Sequence, residues 1–375
     1  MRTVPFFDYT HNFMSHKDQI LEVVADVGSR GAFIMQKDLL EFEIGLAEYL
    51  GAKHTIGVGN ATDAMEMSLA LHGIGPGDEV LVSTHTMVAT ASAIATVGAT
   101  VVPVDIGPDN LMDPKSCEAS ITSQTKAIMI TQLNGRTANM DSINEIVISN
   151  DLKLFEDSAQ ALGSKYRNQA AGTFGLAGCL SFYPAKILGC FGDGGAIICN
   201  DTDIYEQYLM MRDHGRGSDG DVHLWGRNSR LDNLQAAILH LFLKSFDQVV
   251  ARRREIAEMY QEKLGSCEGL QLPPAPNDDE SHFDSFQNYE MQAEHRNELR
   301  EFLASCNIGT LIQWGGKALH QFKKLGLDRT LPAADRFFER CLMLPMSMSL
   351  TDEDVSYVCD SVQAFYGQRN LPNDG

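Results

Sequence analysis

Positive charge is scarce in this chain: 30 lysines and arginines stand against 50 aspartates and glutamates over 375 residues, a formal net charge of −20. Nucleic acids and anionic membranes are held through basic surface, so neither is an expected partner. A small anionic ligand is not excluded, because a few backbone N–H groups can hold a phosphate inside an acidic protein. Paired cysteines are also missing. Cys117, Cys179, Cys190, Cys199, Cys267, Cys306, Cys341 and Cys359 are scattered, with no C-x-x-C spacing and no histidine cluster. That argues against a metal site or a disulfide framework and for reduced thiols in a cytoplasmic protein. Long apolar runs are absent too. The opening MRTVPFFDYTHNF lacks the apolar stretch and cleavage site of a secretion signal. The uncharged segment 81–104 is rich in Ala, Thr, Ser and Gly, and reads as a buried helix and strand rather than a membrane span. There is no G-x-x-x-x-G-K-[ST] loop, and the glycines at 57 and 59 lack the third member of a dinucleotide fingerprint.

What is present is an ordinary globular make-up, 44% hydrophobic and 21% charged, able to bury a sizeable core. The length suits two domains. Stretch 37–50 places Leu39, Phe42, Leu46 and Tyr49 on one side of a helix that Gly51 stops. HTIGVG at 54–59 reads as a strand, and the next helix opens at Asn60 or Thr62 and closes at Gly73. Strand and helix patterns then alternate through 79–83, 86–98, 100–105, 126–133, 141–150 and 152–157. Such alternation predicts an α/β domain with a mostly parallel sheet. One long helix is expected around 233–265. Beyond it the Pro- and acid-rich 272–284 reads as a connector, followed by helices over 295–307 and 350–366 and a strand within 284–293. The expected division is an N-terminal arm at 1–14, a large domain at 15–249 and a small α+β domain at 250–375.

Four clusters carry candidate chemistry. VGNATDA at 58–64 is a small-residue turn that opens a helix, which suits either a phosphate cradle or a plain helix start. In LFEDSAQALG at 154–163, Asp157 ends an apolar strand where open α/β sheets place ligand-binding groups, although it could equally cap the following segment. SFYPAKILGCFGDGGAIIC at 181–199 sets Lys186 in an apolar stretch ending in Gly189, Gly192, Gly194 and Gly195. A lysine is a nucleophile only as the neutral amine, and an apolar setting favours that form; a lysine reaching out from a loop edge is the plainer alternative. GRNSRLDNLQAAIL at 226–239 puts Asn228 and Arg230 in a polar loop before a helix that Asp232 or Asn233 would cap.

Taken in order, these motifs closely resemble the DegT/DnrJ/EryC1/StrS family of sugar aminotransferases. The resemblance runs from VPFFDY through GVGNATDAMEMSLALHGIGPGDEV, TKAIMITQLNGRTANMD, EDSAQALGSKY and SFYPAKILGCFGDGGAIICND to NSRLDNLQAAIL. It implies the pyridoxal 5'-phosphate (PLP) fold type I, aspartate aminotransferase-like, and a homodimer whose active sites are shared between subunits. By matching position, Lys186 is the lysine that binds PLP covalently. Asp157 pairs with the ring nitrogen and keeps it protonated, which makes the ring an electron sink. Gln160 lies by the ring and its phenolic oxygen, while Thr62, Asp63 and Ser181 surround the phosphate. Asn228 reaches the phosphate of the neighbouring subunit.

The implied reaction has two halves: L-glutamate leaves its amino group on the cofactor, and a keto sugar then takes it up. Lys186 carries the proton in both. Family members with histidine in place of the lysine are sugar dehydratases, a branch that Lys186 argues against. The run NSRLD, with PAK before the glycines, looks more like members that aminate C-3 of 3-oxo sugars than the C-4 enzymes. The sequence departs from the family at Ser83-Thr84-His85-Thr86-Met87, where an aromatic usually covers the ring; methionine can do so through a sulfur–ring contact. It departs again at IQWGGKALH, 312–320, and at Asn60-Ala61 in place of Asn-Gly. His85, Met87, Tyr183, Trp314 and Lys317 are the candidate substrate residues, with Trp314 and Lys317 open to a packing or surface role. A sugar phosphate or other keto-polyol is the alternative substrate, and a catalytically idle regulatory or binding homologue the alternative role.

Overall fold

The computed structural model describes residues 2–369; Met1 and 370–375, into which the expected arm and small domain extend, lie outside the described residues. Along the chain come strands β1 (His54–Val58), β2 (Glu79–Ser83), β3 (Thr100–Val104), β4 (Thr125–Thr131), β5 (Lys153–Asp157), the two-residue β6 (Lys165–Tyr166) and β7 (Gln169–Ala170), then β8 (Ala177–Ser181) and β9 (Gly195–Cys199). Seven of them form one sheet in the order β1-β9-β8-β5-β4-β2-β3. From β8 to β3 all neighbours are parallel, and β9 runs antiparallel to both β8 and β1. The mostly parallel sheet is as expected; β8, which ends where the glycine-rich stretch begins, and β9, at the end of that stretch, were not.

Successive residues of a strand face opposite sides, and the sheet is covered on both. Val80, Val82, Ala127 and Met129 pack with the helix Ala61–Leu71 on one face, while Leu81, Ile128 and Ile130 pack with the helix Met140–Ser149 on the other. Further along, Leu180 and Ile198 meet Phe42 and Leu46 of the helix Lys37–Leu50. With both faces buried, the strands read as continuous apolar runs.

A second, antiparallel sheet is built from β10 (Leu270–Gln271), β12 (Tyr289–Ala293) and β13 (Cys341–Leu344), while the short β11 (His282–Phe283) pairs back onto β6. Its core gathers Tyr289, Met291, Leu342 and Leu344 with Leu299, Leu303, Val355 and Val358 from two helices, and with Val4 of the arm. The single helix expected over 233–265 is two, Asn233–Leu243 and Phe246–Leu264. Ser245 interrupts them with φ −114°, its hydroxyl donating to the Phe242 carbonyl. The second helix spans the expected 249/250 boundary. Its Phe246 and Val250 belong to the large-lobe core, and its Ile256, Ala257, Tyr260 and Leu264 to the small one.

Candidate active site

The C-terminal ends of β4 and β5, the start of the helix Ala61–Leu71 and the loop after β8 converge on a cleft of about 470 Å³, within the size of small-molecule sites. Eight of the expected residues line it: Thr62, Met87, Asp157, Gln160, Ser181, Tyr183, Lys186 and Trp314.

Asp157 closes β5 and is buried. Its Oδ2 accepts from the Thr90 hydroxyl at 2.7 Å and its Oδ1 from the Ala159 N–H at 3.1 Å. The bond to Ala159 is the local capping contact expected of such an aspartate, and it leaves the carboxylate facing the cleft. A hydroxyl has one proton to give, so Thr90, spent on Asp157, must accept from Thr86 at 2.7 Å, which in turn accepts from Thr131 at 2.8 Å. Three threonines thus form a one-way hydrogen-bond chain ending on the carboxylate. Burial raises the Asp157 pKa, while the Thr90 hydroxyl, the Ala159 N–H and the charge of Lys186 pull it back.

Lys186 follows a turn in which its N–H donates to the Tyr183 carbonyl at 2.8 Å. The residue as a whole is half-buried, but its amino group sits deep enough that burial lowers its pKa to about 8, against the opposing pull of Asp157. A sizeable fraction is therefore neutral near physiological pH, the form a nucleophile or proton acceptor needs.

At the other end of the cleft Asn60, not Thr62, caps the helix, its Oδ1 accepting from the Asp63 N–H at 2.8 Å. The first N–H groups of a helix find no carbonyl within it and favour an anion. Gly195 lets β9 come against the backbone of Asn60 and Ala61; a Cβ there would stand 2.5 Å from the Asn60 carbonyl carbon. Ser181 ends β8 beside this turn. Trp314 forms part of the far wall in the left-handed conformation, φ 48°, and is followed by Gly315 and Gly316 at 70° and 76°. Such strain in a bulky residue persists only where the surroundings impose it.

Four expected residues stand outside the cleft. Asp63 turns away, its Oδ2 accepting from the Ser229 hydroxyl at 2.6 Å. His85 is buried behind the wall: Nδ1 donates to the Asn110 carbonyl at 2.8 Å, and Nε2 lies 3.3 Å from Glu290. Its ring packs on Trp314 and Phe337, with centroids at 5.4 and 4.6 Å. It is a wall-supporting residue here, because the β2 exit turns its side chain inward and leaves Thr86 and Met87 to face the cleft. Lys317 is exposed and does not line the cleft. Asn228 is exposed too, its Oδ1 accepting from Arg230 at 2.6 Å. Among the described residues no group of His, Cys, Asp and Glu could hold a metal, and no helix is long and apolar enough to cross a membrane.

The sequence reading missed Phe7 of the arm and Gln287, Asn288 and Gln313 of the small lobe, all of which line the cleft. Asn288 and the backbone of Asn134 both donate to the Gln160 Oε1, at 3.1 and 3.2 Å, so Gln160 is left its amide nitrogen for a ligand. Two adjacent amides in a strand-like run, Gln287-Asn288, were the one available signal.

A family model described as the DegT/DnrJ/EryC1/StrS aminotransferase family matches residues 14–363. The chain belongs to this family. Membership in this aminotransferase family makes it an enzyme that transfers amino groups. The dTDP-3-amino-3,4,6-trideoxy-alpha-D-glucose transaminase of Streptomyces venezuelae is 34% identical, over 96% of this chain and 95% of its own. A Geobacillus stearothermophilus protein named as a pleiotropic regulatory protein is 37% identical, over 97% and 98%. Among solved structures, the S. venezuelae DesV in complex with a ketimine intermediate superposes with a TM-score of 0.93 at 33% identity, covering 98% of this chain and 99% of that one. The Bacillus subtilis NtdA with bound cofactor PMP, 25% identical, gives 0.90 over 98% and 86%.

Proposed function

We propose that this aminotransferase moves the amino group of L-glutamate onto a nucleotide-linked keto sugar, with a 3-oxo sugar favoured over a 4-oxo one, and works as a cytoplasmic homodimer with shared active sites. The observation that carries the reading is one cleft holding a desolvated lysine opposite a buried carboxylate. Named relatives that act on dTDP- and UDP-linked sugars support the substrate class, and the NSRLD run supports the 3-oxo choice.

The cofactor is pyridoxal 5'-phosphate, and the chain's own residues suit it. The cation that acts on the buried Asp157 is Lys186, and a protonated ring nitrogen would supply a second one. The helix start at Ala61 with Thr62 and Ser181 suits the phosphate; Lys186 suits the aldehyde. When bound, PLP supplies the aldehyde that takes up an amino group and the ring that draws electrons from the adjacent carbon. Lys186 holds the proton at Nζ and returns it. The Thr90 hydroxyl and the Ala159 N–H favour the carboxylate form of Asp157 against the burial that raises its pKa. Gln160 offers an N–H donor. Met87 and Tyr183, both half-exposed in the cleft, and Trp314 offer apolar faces to a substrate. Asp63 would act on the phosphate end only through the helix start that it belongs to. Asn228 of the partner subunit completes that end. The arm at 1–14, the large domain at 15–249 and the small domain at 250–375 remain our proposed division, with its second boundary inside a helix.

Lys317 was the support for a sugar phosphate or other keto-polyol substrate, and outside the cleft it lends none. A purely regulatory role, suggested by the name of the Geobacillus relative, would place no demand on a desolvated lysine facing a carboxylate. The test is a panel of dTDP- and UDP-linked 3-oxo and 4-oxo sugars with L-glutamate, read by the mass of the amino product. Amination of none overturns the substrate class; preference for a 4-oxo sugar overturns the regiochemistry.

A further inference from the structure

Gln287 is buried, and its side-chain amide bridges the two peptides that flank Lys186. Its Oε1 accepts from the Ile187 N–H at 2.7 Å, and its Nε2 donates to the Ala185 carbonyl at 2.9 Å. One amide therefore meets both the donor and the acceptor presented by the backbone around the lysine. The lysine loop has little else to fix it there: the Lys186 N–H bonds within its own turn, to Tyr183.

The segment that carries Gln287 is itself held rigidly. Arg253, buried in the helix Phe246–Leu264, donates from Nη1 to the carbonyls of Phe286 and Gln287, both at 3.0 Å. Phe286 is left-handed at φ 51°, a costly conformation for an aromatic residue. Gly135, at φ 86°, comes so close to the N atoms of Phe286 and Gln287 that any side chain there would overlap both. The next residue, Asn288, donates to Gln160 and to Asn134 at 3.1 and 2.8 Å. A single small-lobe segment thus touches the lysine loop with one amide and Gln160 with the next.

We propose that Gln287 is a positioning residue that clamps the Lys186 backbone, with Arg253 as its buttress. The inference rests on the reading that Lys186 is the lysine that takes up the cofactor. That lysine must leave its covalent partner and still return within reach, so its main chain has to stay fixed while its side chain swings. The clamp supplies a fixed pivot from the opposite lobe. Small misplacements of a reacting group cost rate steeply, on the order of 100-fold for an ångström.

The test mixes cofactor-free protein with pyridoxal 5'-phosphate, quenches with borohydride at timed intervals, and maps the modified peptide by mass. Borohydride reduces the C=N bond, formed with loss of water, to a stable secondary amine, so Lys186 uptake is read without turnover. Amide hydrogen exchange at Ile187 is measured beside it, and a thermal melt confirms folding. In Gln287→Met, which keeps the shape and loses both bonds, labelling of Lys186 should slow about tenfold or more and Ile187 should exchange faster. Gln287→Asn, a methylene shorter and still polar, reaches one peptide at most and should fall between. Glue alone would lower the melting temperature and leave the labelling rate of the folded protein unchanged. Either folded variant labelling at the wild-type rate with unaltered Ile187 exchange overturns the clamp. If wild type is not labelled at Lys186 at all, it is the reading of Lys186 that fails, and Ile187 exchange still decides the clamp by itself.

Discussion

The cleft's chemistry comes down to one amine and one carboxylate with opposite needs. Lys186 must be neutral to act, and burial brings its pKa to about 8 from the ordinary 10.5. Uptake of the cofactor by the apo protein should therefore rise roughly tenfold per pH unit below about 8 and level off above it, as timed borohydride trapping would show; a rise continuing beyond pH 10 would contradict the burial. The same shift bears on stability. Between about 8 and 10.5 the unfolded chain holds a proton that the folded chain has released, so this group makes the apo protein more stable as pH rises through that window. Asp157 must stay charged although burial pushes its pKa up. Asp157→Asn should weaken PLP binding and cut turnover by about 10- to 1000-fold, measured by cofactor titration and initial rates, whereas a near-normal rate would return Asp157 to a capping role. Thr90→Val removes a bond to a charged group worth about 1.5–3 kcal/mol and should lower turnover by about tenfold or more, with the fold intact by circular dichroism.

Local structure was legible where it is set locally. Apolar periodicity and a capping asparagine located the helix Ala61–Leu71, and apolar runs located β2, β4 and β5. The break at Ser245 was not visible, because both flanking stretches keep good helical period and pack on the same large-lobe core, Phe242 before the break and Phe246 after it. His85 was assigned to the substrate because sequence does not tell which way a side chain turns after a strand ends. Thr90, Gln287 and Asn288 escaped notice since their partners lie far along the chain. Glu156 escaped for the same reason. It is fully buried beside Asp157, and its carboxylate accepts from Gln132 and from the N–H groups of Gly172, Phe174 and Gly175 at 2.6–3.0 Å. It ties β5 to the turn before β8. In Glu156→Gln one oxygen becomes an NH₂ that faces N–H groups, so unfolding in urea should show a loss of about 1–3 kcal/mol. An unchanged midpoint would mean that this turn does not depend on the carboxylate.

The whole molecule raises the question of how many chains make one site. Asn228 lies outside its own cleft on an exposed loop, and the proposed dimer brings it to the other one. Mixing inactive Lys186→Ala subunits with phosphate-repelling Asn228→Asp subunits puts both defects in one site of a mixed dimer and none in the other. With free exchange of equal amounts, activity should recover toward about a quarter of wild type. Mixed dimers seen by mass but without activity would assign Asn228 to its own subunit.

The arm's route across the molecule also constrains when the protein can finish folding. Val4, buried in the small-lobe core, pairs with Ile308, and its N–H and carbonyl bond to Asn307 and Gly309 at 2.9 and 2.8 Å. During synthesis that segment leaves the ribosome long before its partner exists. Its apolar VPFF stretch must wait, exposed, while the whole parallel sheet is made, and holding it open to chaperones for that interval is the cost of letting one strand of residues seal the lobe and lead Phe7 to the cleft.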